Sequence, residues 1–242
     1  MKIAIVTGST KGIGKSIGLK LLREDCFVVF NYSSDDRRAE ELRKELEEKY
    51  CGKYKIIKAD LSNIEKVNWF VNQIKEEFHL IDYLILNAGY TDRTMPLEIS
   101  VEGWNKVMDI NLNMPFFCVQ RFAPFIKDKM GKIIFIGSIM GIEPHASSVA
   151  YGVSKAGIHF LAKCLVKVFD ERGITVNAIC PGFTDTAWQL EKPAEQRMRI
   201  EQRTALHRFA YPDEIAEMTY FILNNAYVNG SVIQIDGGYN YK

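Results

Sequence analysis

Short apolar runs, mostly β-branched, recur along this chain, separated by longer stretches in which apolar positions return with helical spacing. The runs are Lys2 to Val6, Phe27 to Asn31, Tyr54 to Ala59, Ile81 to Leu86, Lys132 to Gly137, Thr175 to Ile179 and Val232 to Ile235. Each has the length and near-continuous hydrophobicity of a strand buried on both faces. Between them, Asp36 to Tyr50 is a charge-dense helix. Ser62-Asn63-Ile64-Glu65 reads as a capping box ahead of Val67, Phe70, Val71 and Ile74. A long helix is expected over roughly Val101 to Ile126, with Val107, Ile110, Leu112, Met114, Phe116 and Phe117 as its packing residues. Strict β–α alternation predicts an α/β fold: one doubly wound, seven-stranded parallel sheet with helices on both faces, in a single domain over residues 1–242. The exception is the segment 183–211. Broken by Pro193 and loaded with charge, it follows the sixth strand at the carboxyl edge where ligands bind in open sheets, and is expected to act as a substrate lid.

Composition removes several function classes. The chain of 242 residues carries a net charge of +1, so it lacks the electrostatic footprint of a nucleic-acid or anionic-membrane binder. Cys26, Cys51, Cys118, Cys164 and Cys180 are odd in number and scattered, with no CxxC pair and no histidine cluster. Neither a disulfide framework nor a zinc site is suggested, and no metal is expected. The opening Ile3-Ala4-Ile5-Val6 is far too short for a signal h-region and no later run approaches a membrane span, so a cytoplasmic protein is expected.

Two clusters carry chemistry. Gly8, Gly12 and Gly14 follow the first strand and open a helix, which lets backbone approach a pyrophosphate and leaves helix-start N–H groups to receive its charge. Taken alone, three glycines also fit an ordinary tight turn. Further on, Tyr151 and Lys155 stand four residues apart, about 40° around a helix axis, so phenol and ammonium share a face. A nearby cation favours the phenolate, and a drop of roughly 3 units, about 4 kcal/mol, would poise the phenol for acid–base work near neutrality. Ser138 ends the fifth strand, where its hydroxyl can steady a developing oxyanion or simply cap a turn.

Over essentially its whole length the chain resembles the short-chain dehydrogenase/reductase family. The motifs that carry the likeness are Thr7 to Gly14, Asp60, Asn87-Ala88-Gly89, Asn111, Ser138, Tyr151 with Lys155, Pro181-Gly182 and Asp236-Gly237-Gly238, in that order. Leu86 departs from the pattern, since many relatives have a second asparagine there. The resemblance implies an NAD(P)-dependent oxidoreductase on a Rossmann fold with a catalytic tetrad of Asn111, Ser138, Tyr151 and Lys155. In it Tyr151 passes a proton to the substrate oxygen, Tyr151 and Lys155 also contact the cofactor, Lys155 at the nicotinamide ribose, and Asn111 binds a water that relays protons. It implies cofactor contacts from Gly8, Ser9, Thr10, Lys11, Gly12, Ile13 and Gly14 in the opening loop, and from Asn31, Tyr32 and Ser33 after the second strand. Ala59, Asp60 and Leu61 would meet the adenine, Asn87, Ala88 and Gly89 its ribose, and Pro181, Gly182, Thr184 and Thr186 the nicotinamide and phosphates. A homotetramer is likewise implied.

The second strand ends Asn31-Tyr32-Ser33-Ser34, without the acid that would pair with the NAD ribose and repel a 2′-phosphate. With Lys11, Arg37 and Arg38 nearby, NADP(H) is favoured over NAD(H), although Asp35 and Asp36 blur the signal. Within the family the motif placement is most similar to 3-oxoacyl-[acyl-carrier-protein] reductases, which implies an acyl-thioester substrate and acyl carrier protein as partner, met through Lys129 and Arg172. Against that, Glu143, Pro144 and His145 in the loop before Tyr151, with Trp188, could line a pocket for a sugar, steroid or other small ketone; His145 and Trp188 are the candidate substrate contacts. A dinucleotide-sensing protein without turnover is the remaining alternative, and it needs neither the phenol nor its cation.

Overall fold

The computed structural model describes residues 1–190 and 192–241; Glu191, inside the expected lid, and Lys242 lie outside them. In chain order the elements begin β1 (Lys2–Val6), α1 (Gly12–Arg23), β2 (Cys26–Tyr32), α2 (Asp36–Tyr50), β3 (Tyr54–Lys58), α3 (Ile64–Lys75) and β4 (Tyr83–Leu86). They continue α4 (Val101–Met108), α5 (Met114–Phe122), β5 (Lys132–Ile136), α6 (Val149–Val168), β6 (Thr175–Pro181), α7 (Ala187–Leu190), α8 (Ala194–Arg203), α9 (Pro212–Asn224) and β7 (Val232–Ile235). The strands form one parallel sheet in the order β3-β2-β1-β4-β5-β6-β7.

Alternation along each strand feeds two cores. On one face Ala4, Val6, Val28 and Phe30 pack with Ile17 and Leu21 of α1, Leu42 and Leu46 of α2 and Ile215 and Ile222 of α9. On the other, Ile5, Val29, Leu84 and Ile133 pack with Phe70 of α3, Phe122 of α5 and Ile158 and Leu165 of α6. This double coverage is why the strands read as continuous apolar runs. Close approach of α1 to β2 depends on Gly18, where an added Cβ would lie 2.2 Å from the Phe30 ring.

Three expectations need correction. The helix expected over Val101 to Ile126 is α4, a π-helical turn at Asp109–Asn113, α5 and a final 3₁₀ turn at Ala123–Phe125. The cap of α3 is Asn63, whose side chain accepts from the Lys66 N–H, while Ser62 donates to Asp60 (3.0 Å) instead of capping. The fourth strand starts at Tyr83, because Ile81 bridges Ile126 outside the main ladder.

Order reverses between β1 and β4: β2 and β3 lie to one side of β1, and β4 starts the other half on its far side. The crevice at the carboxyl ends of these two strands is the topological switch point, where ligands of open α/β sheets bind.

Candidate active site

Glycine-rich backbone lines one wall of the crevice. Gly8 (φ +59°) and Gly12 (φ +55°) adopt left-handed backbone that favours glycine, and a Cβ on Gly8 would stand 2.9 Å from Ala88 Cα. At Gly14 a Cβ would come 2.5 Å from Asn87 Nδ2 and 2.6 Å from the Gly8 carbonyl oxygen, so α1 begins hard against the exit of β4. Thr7 Oγ1 accepts from the N–H groups of Asn87 and Ala88, both at 3.0 Å, and Asn87 Nδ2 donates to the carbonyls of Thr7 and Gly8. Ser9 donates to the Val6 carbonyl (2.7 Å) and accepts from Asn31 N–H (3.0 Å). Thr10 is buried, Ile13 is half-buried, and Lys11 at the start of α1 makes no side-chain cap. The first N–H groups of α1 are thus left to an anion, so the loop fits a pyrophosphate.

Sequence reasoning placed Asn31 on the cofactor, whereas the fold uses its amide internally. Its Oδ1 accepts from Gly8 N–H (3.2 Å) and its Nδ2 donates to the Ala59 carbonyl (2.9 Å), stitching the loop to β2 and β3. Beyond it, Tyr32 closes the strand and Ser33 just past it is exposed. The two acids that blurred the cofactor signal are engaged locally: Asp35 caps α2 at Arg38 N–H (3.2 Å), and Asp36 accepts from Tyr32 Oη (2.9 Å) and Lys58 Nζ (2.7 Å). Ala59 is buried, Leu61 half-buried, and Asp60 holds Lys66 Nζ (2.6 Å).

The second cluster assembles from β5, α6 and the π-helical turn. Ser138 adopts extended backbone past β5 and accepts from Met140 N–H (3.2 Å), so it does cap a 3₁₀ turn, yet it also lies near enough to the Tyr151 phenol to favour its ionised form. Lys155, 4% exposed, donates to the Ile136 carbonyl (2.7 Å) and lies 5.5 Å from the centroid of the Tyr151 ring. The expected drop in the phenol pKa does not occur. Burial pushes Tyr151 up to about 12, with Ser138 pulling the other way, and burial pulls Lys155 down to about 8. Desolvation outweighs attraction because the ammonium is anchored to a carbonyl under the ring instead of at the hydroxyl.

Asn111 is buried in the π-helical turn, and its side chain is spoken for. Its Oδ1 accepts from Tyr90 N–H (2.8 Å), while Nδ2 donates to the Tyr90 carbonyl (2.8 Å) and to Ser154 Oγ (3.0 Å). Such a turn breaks the regular ladder and frees backbone for other partners, as is common at functional sites. Gly89 passes close by: a Cβ there would stand 3.4 Å from Asn111 Oδ1 and 3.8 Å from Lys155 Nζ. Ser154, missed from sequence, was findable as the residue one turn after Tyr151, whose carbonyl it binds at 2.7 Å.

At the end of β6, Pro181 is buried, and Gly182 beyond it packs so tightly that a Cβ would lie 2.7 Å from Asp236 Cα. Thr184 is buried and donates to the Gly182 carbonyl (3.2 Å); Thr186 faces the glycine loop, 3.2 Å from where a Gly12 Cβ would be. Trp188 on α7 sets its ring 6.2 Å from that of Tyr151, and its carbonyl accepts from Arg93 (3.1 Å). His145 is half-buried and pairs with Ser147 Oγ (2.9 Å); burial lowers its pKa, with Arg203 and Lys192 acting in the same direction. Arg172, expected to meet a carrier protein, donates to Asp128 and to the carbonyls of Ala123 and Ile126 at 2.6 Å each. Leu86, the departure from the family pattern, is buried in the core.

Residues 2–197 match the family model described as short chain dehydrogenase. The 3-oxoacyl-[acyl-carrier-protein] reductase of Synechocystis sp. is 32% identical over 241 residues, covering 98% of this chain and 96% of that protein. Among solved structures, a short-chain dehydrogenase/reductase from Serratia marcescens superposes with a TM-score of 0.92 at 29% identity, covering 98% of this chain and 97% of that one. The Pseudomonas aeruginosa RhlG/NADP active-site complex does so with a TM-score of 0.89 at 28% identity, covering 98% and 96%.

Proposed function

The chain belongs to the short-chain dehydrogenase family and is an NAD(P)-dependent oxidoreductase, and within that class we propose that it uses NADPH to reduce a carbonyl, taking a 3-oxoacyl thioester on acyl carrier protein as substrate. One observation carries the reading: Ser138 stands close enough to Tyr151 to pull its phenol pKa down, and both sit beside Lys155 next to a glycine loop that fits a pyrophosphate. Bound in that cradle, the reduced nicotinamide supplies the hydride.

In this reading Ser138 and Tyr151 grip the substrate oxygen together. A phenol near 12 is fully protonated at pH 7, and it gives its proton downhill to an alkoxide, whose conjugate acid is about as weak as water with its pKa of about 15.7. Lys155 keeps most of its charge at pH 7 and stabilises the phenolate left behind. Backbone freed at the π-helical turn, and not the occupied Asn111 amide, holds the water that returns the proton. Lys11, exposed at the start of α1, receives the 2′-phosphate, because Asp35 and Asp36 are held by α2 and by Lys58. The NADP in the Pseudomonas complex agrees with this choice. Trp188, His145 and the segment 183–211 cover the substrate, and a homotetramer working in the cytoplasm completes the proposal.

Carrier-protein docking rests on Lys129 and on Arg172, whose side chain is 32% exposed beside Asp128. The polar loop holding Glu143 and His145 supports the second reading, a sugar or steroid ketone. The deciding experiment follows NADPH oxidation with acetoacetyl thioesters and a panel of sugar and steroid ketones. Rapid reduction of the thioesters is the expected result. Inert thioesters beside one rapidly reduced polar ketone would replace the acyl-carrier assignment.

A further inference from the structure

Beneath the site lies a buried imidazole with no role in the reaction described above. His159 is 6% exposed and follows Tyr151 and Lys155 on the same ridge of α6, at positions i, i+4 and i+8. Its Nε2 accepts from the Ser138 backbone N–H (3.4 Å) and lies 3.0 Å from Cys180 Sγ on β6. The two glycines around Ser138 make room for the ring. A Cβ on Gly137 would stand 2.3 Å from Nε2, and one on Gly141 would stand 2.7 Å from Cε1. Four segments of the site therefore meet on one imidazole: the end of β5, the turn after Ser138, the helix bearing Tyr151 and Lys155, and β6 just before Pro181.

We propose that His159 is a positioning residue, a neutral hydrogen-bond acceptor that fixes the Ser138 turn against α6 so that the Ser138 and Tyr151 hydroxyls converge on one substrate oxygen. Burial, with Lys155 adding to it, lowers its pKa to about 4, so the ring stays uncharged across the working range although the Gly141 backbone favours protonation. A charged ring would lose its acceptor and set a second cation beside Lys155. The inference rests on the reading of Ser138 and Tyr151 as the reacting pair; it adds the element that sets their spacing.

The test uses the ketone of the panel above that the wild type reduces fastest. His159→Leu is expected to lower kcat/KM by about 10- to 100-fold, the range for a lost supporting hydrogen bond, with the Kd for NADPH held within about twofold. His159→Gln, which returns an acceptor oxygen, is expected to recover most of the loss. In a Ser138→Ala background His159→Leu should lower activity little further, because it acts through Ser138. Equal losses in both backgrounds, or a joint loss of NADPH binding and thermal stability that Gln leaves uncorrected, would overturn the proposal. Should His159→Leu not fold, His159→Gln against His159→Asn decides, since only Gln extends an oxygen to the Nε2 position; equal activities overturn it. Retained turnover in Tyr151→Phe would instead remove the reading of the site, and the proposal with it.

Discussion

At the scale of single residues, burial sets the chemistry. Tyr151→Phe keeps the ring and its packing but removes the proton, so kcat should fall by at least about 10²-fold, while NADPH fluorescence titration gives an unchanged Kd. Lys155 makes a prediction with a defined sign. Its folded pKa of about 8 lies below the unfolded 10.5, so between those values the unfolded chain binds more protons and stability rises with pH. Below pH 8 the buried charge costs about 3 kcal/mol. Lys155→Met should therefore abolish turnover yet gain in melting temperature relative to wild type at pH 7, and that gain should shrink as pH rises through 8 to 10.5. A gain that is flat or grows with pH would contradict the assignment. Activity should follow the same group: the reduction rate of the wild type is expected to fall above about pH 8, as the cation beside the phenol is lost.

Among the elements, α1 and β2 carry the cofactor end. Gly18→Ala forces a methyl into the Phe30 ring and should destabilise the fold by about 1–3 kcal/mol, read from urea unfolding with an unchanged m-value. Past the end of β2, Ser33→Asp would place an acid where no free one stands now. The expected outcome is a shift of the NADPH-to-NADH ratio of kcat/KM by about tenfold or more toward NADH, about 1.4 kcal/mol of like-charge repulsion against the 2′-phosphate. The π-helical turn between α4 and α5 was invisible to periodicity. A single such turn is too short to set a period of its own, and it is the backbone bond from Met114 N–H to the Asp109 carbonyl that marks it.

For the whole molecule, apolar surface is the open matter. Phe160 (69% exposed) and Val168 (68%) lie on α6, Phe221 (58%) lies on α9, and the edge strand β7 is only half-buried. Patches of this kind are usually covered by a second copy. Sedimentation velocity should give a tetramer, and Phe160→Glu with Phe221→Glu should each reduce it to smaller species with an intact fold. Among the described residues no helix is long and apolar enough to cross a membrane.

All seven strands and the helix over Asp36 to Tyr50 were legible in the sequence, because double burial writes unbroken apolar runs and helical faces write a 3.6-residue period. The glycine loop and the Ser138, Tyr151 and Lys155 set were legible too, since each needs a particular residue type at a fixed spacing. Tertiary structure alone decided the rest. It gave the side chains of Asn31 and Arg172 partners within the fold, moved the phenol pKa up instead of down, and brought His159 under Ser138 across 21 residues of chain. Those outcomes depend on which partners a side chain meets and how much water it loses, quantities that exist only once distant segments have packed.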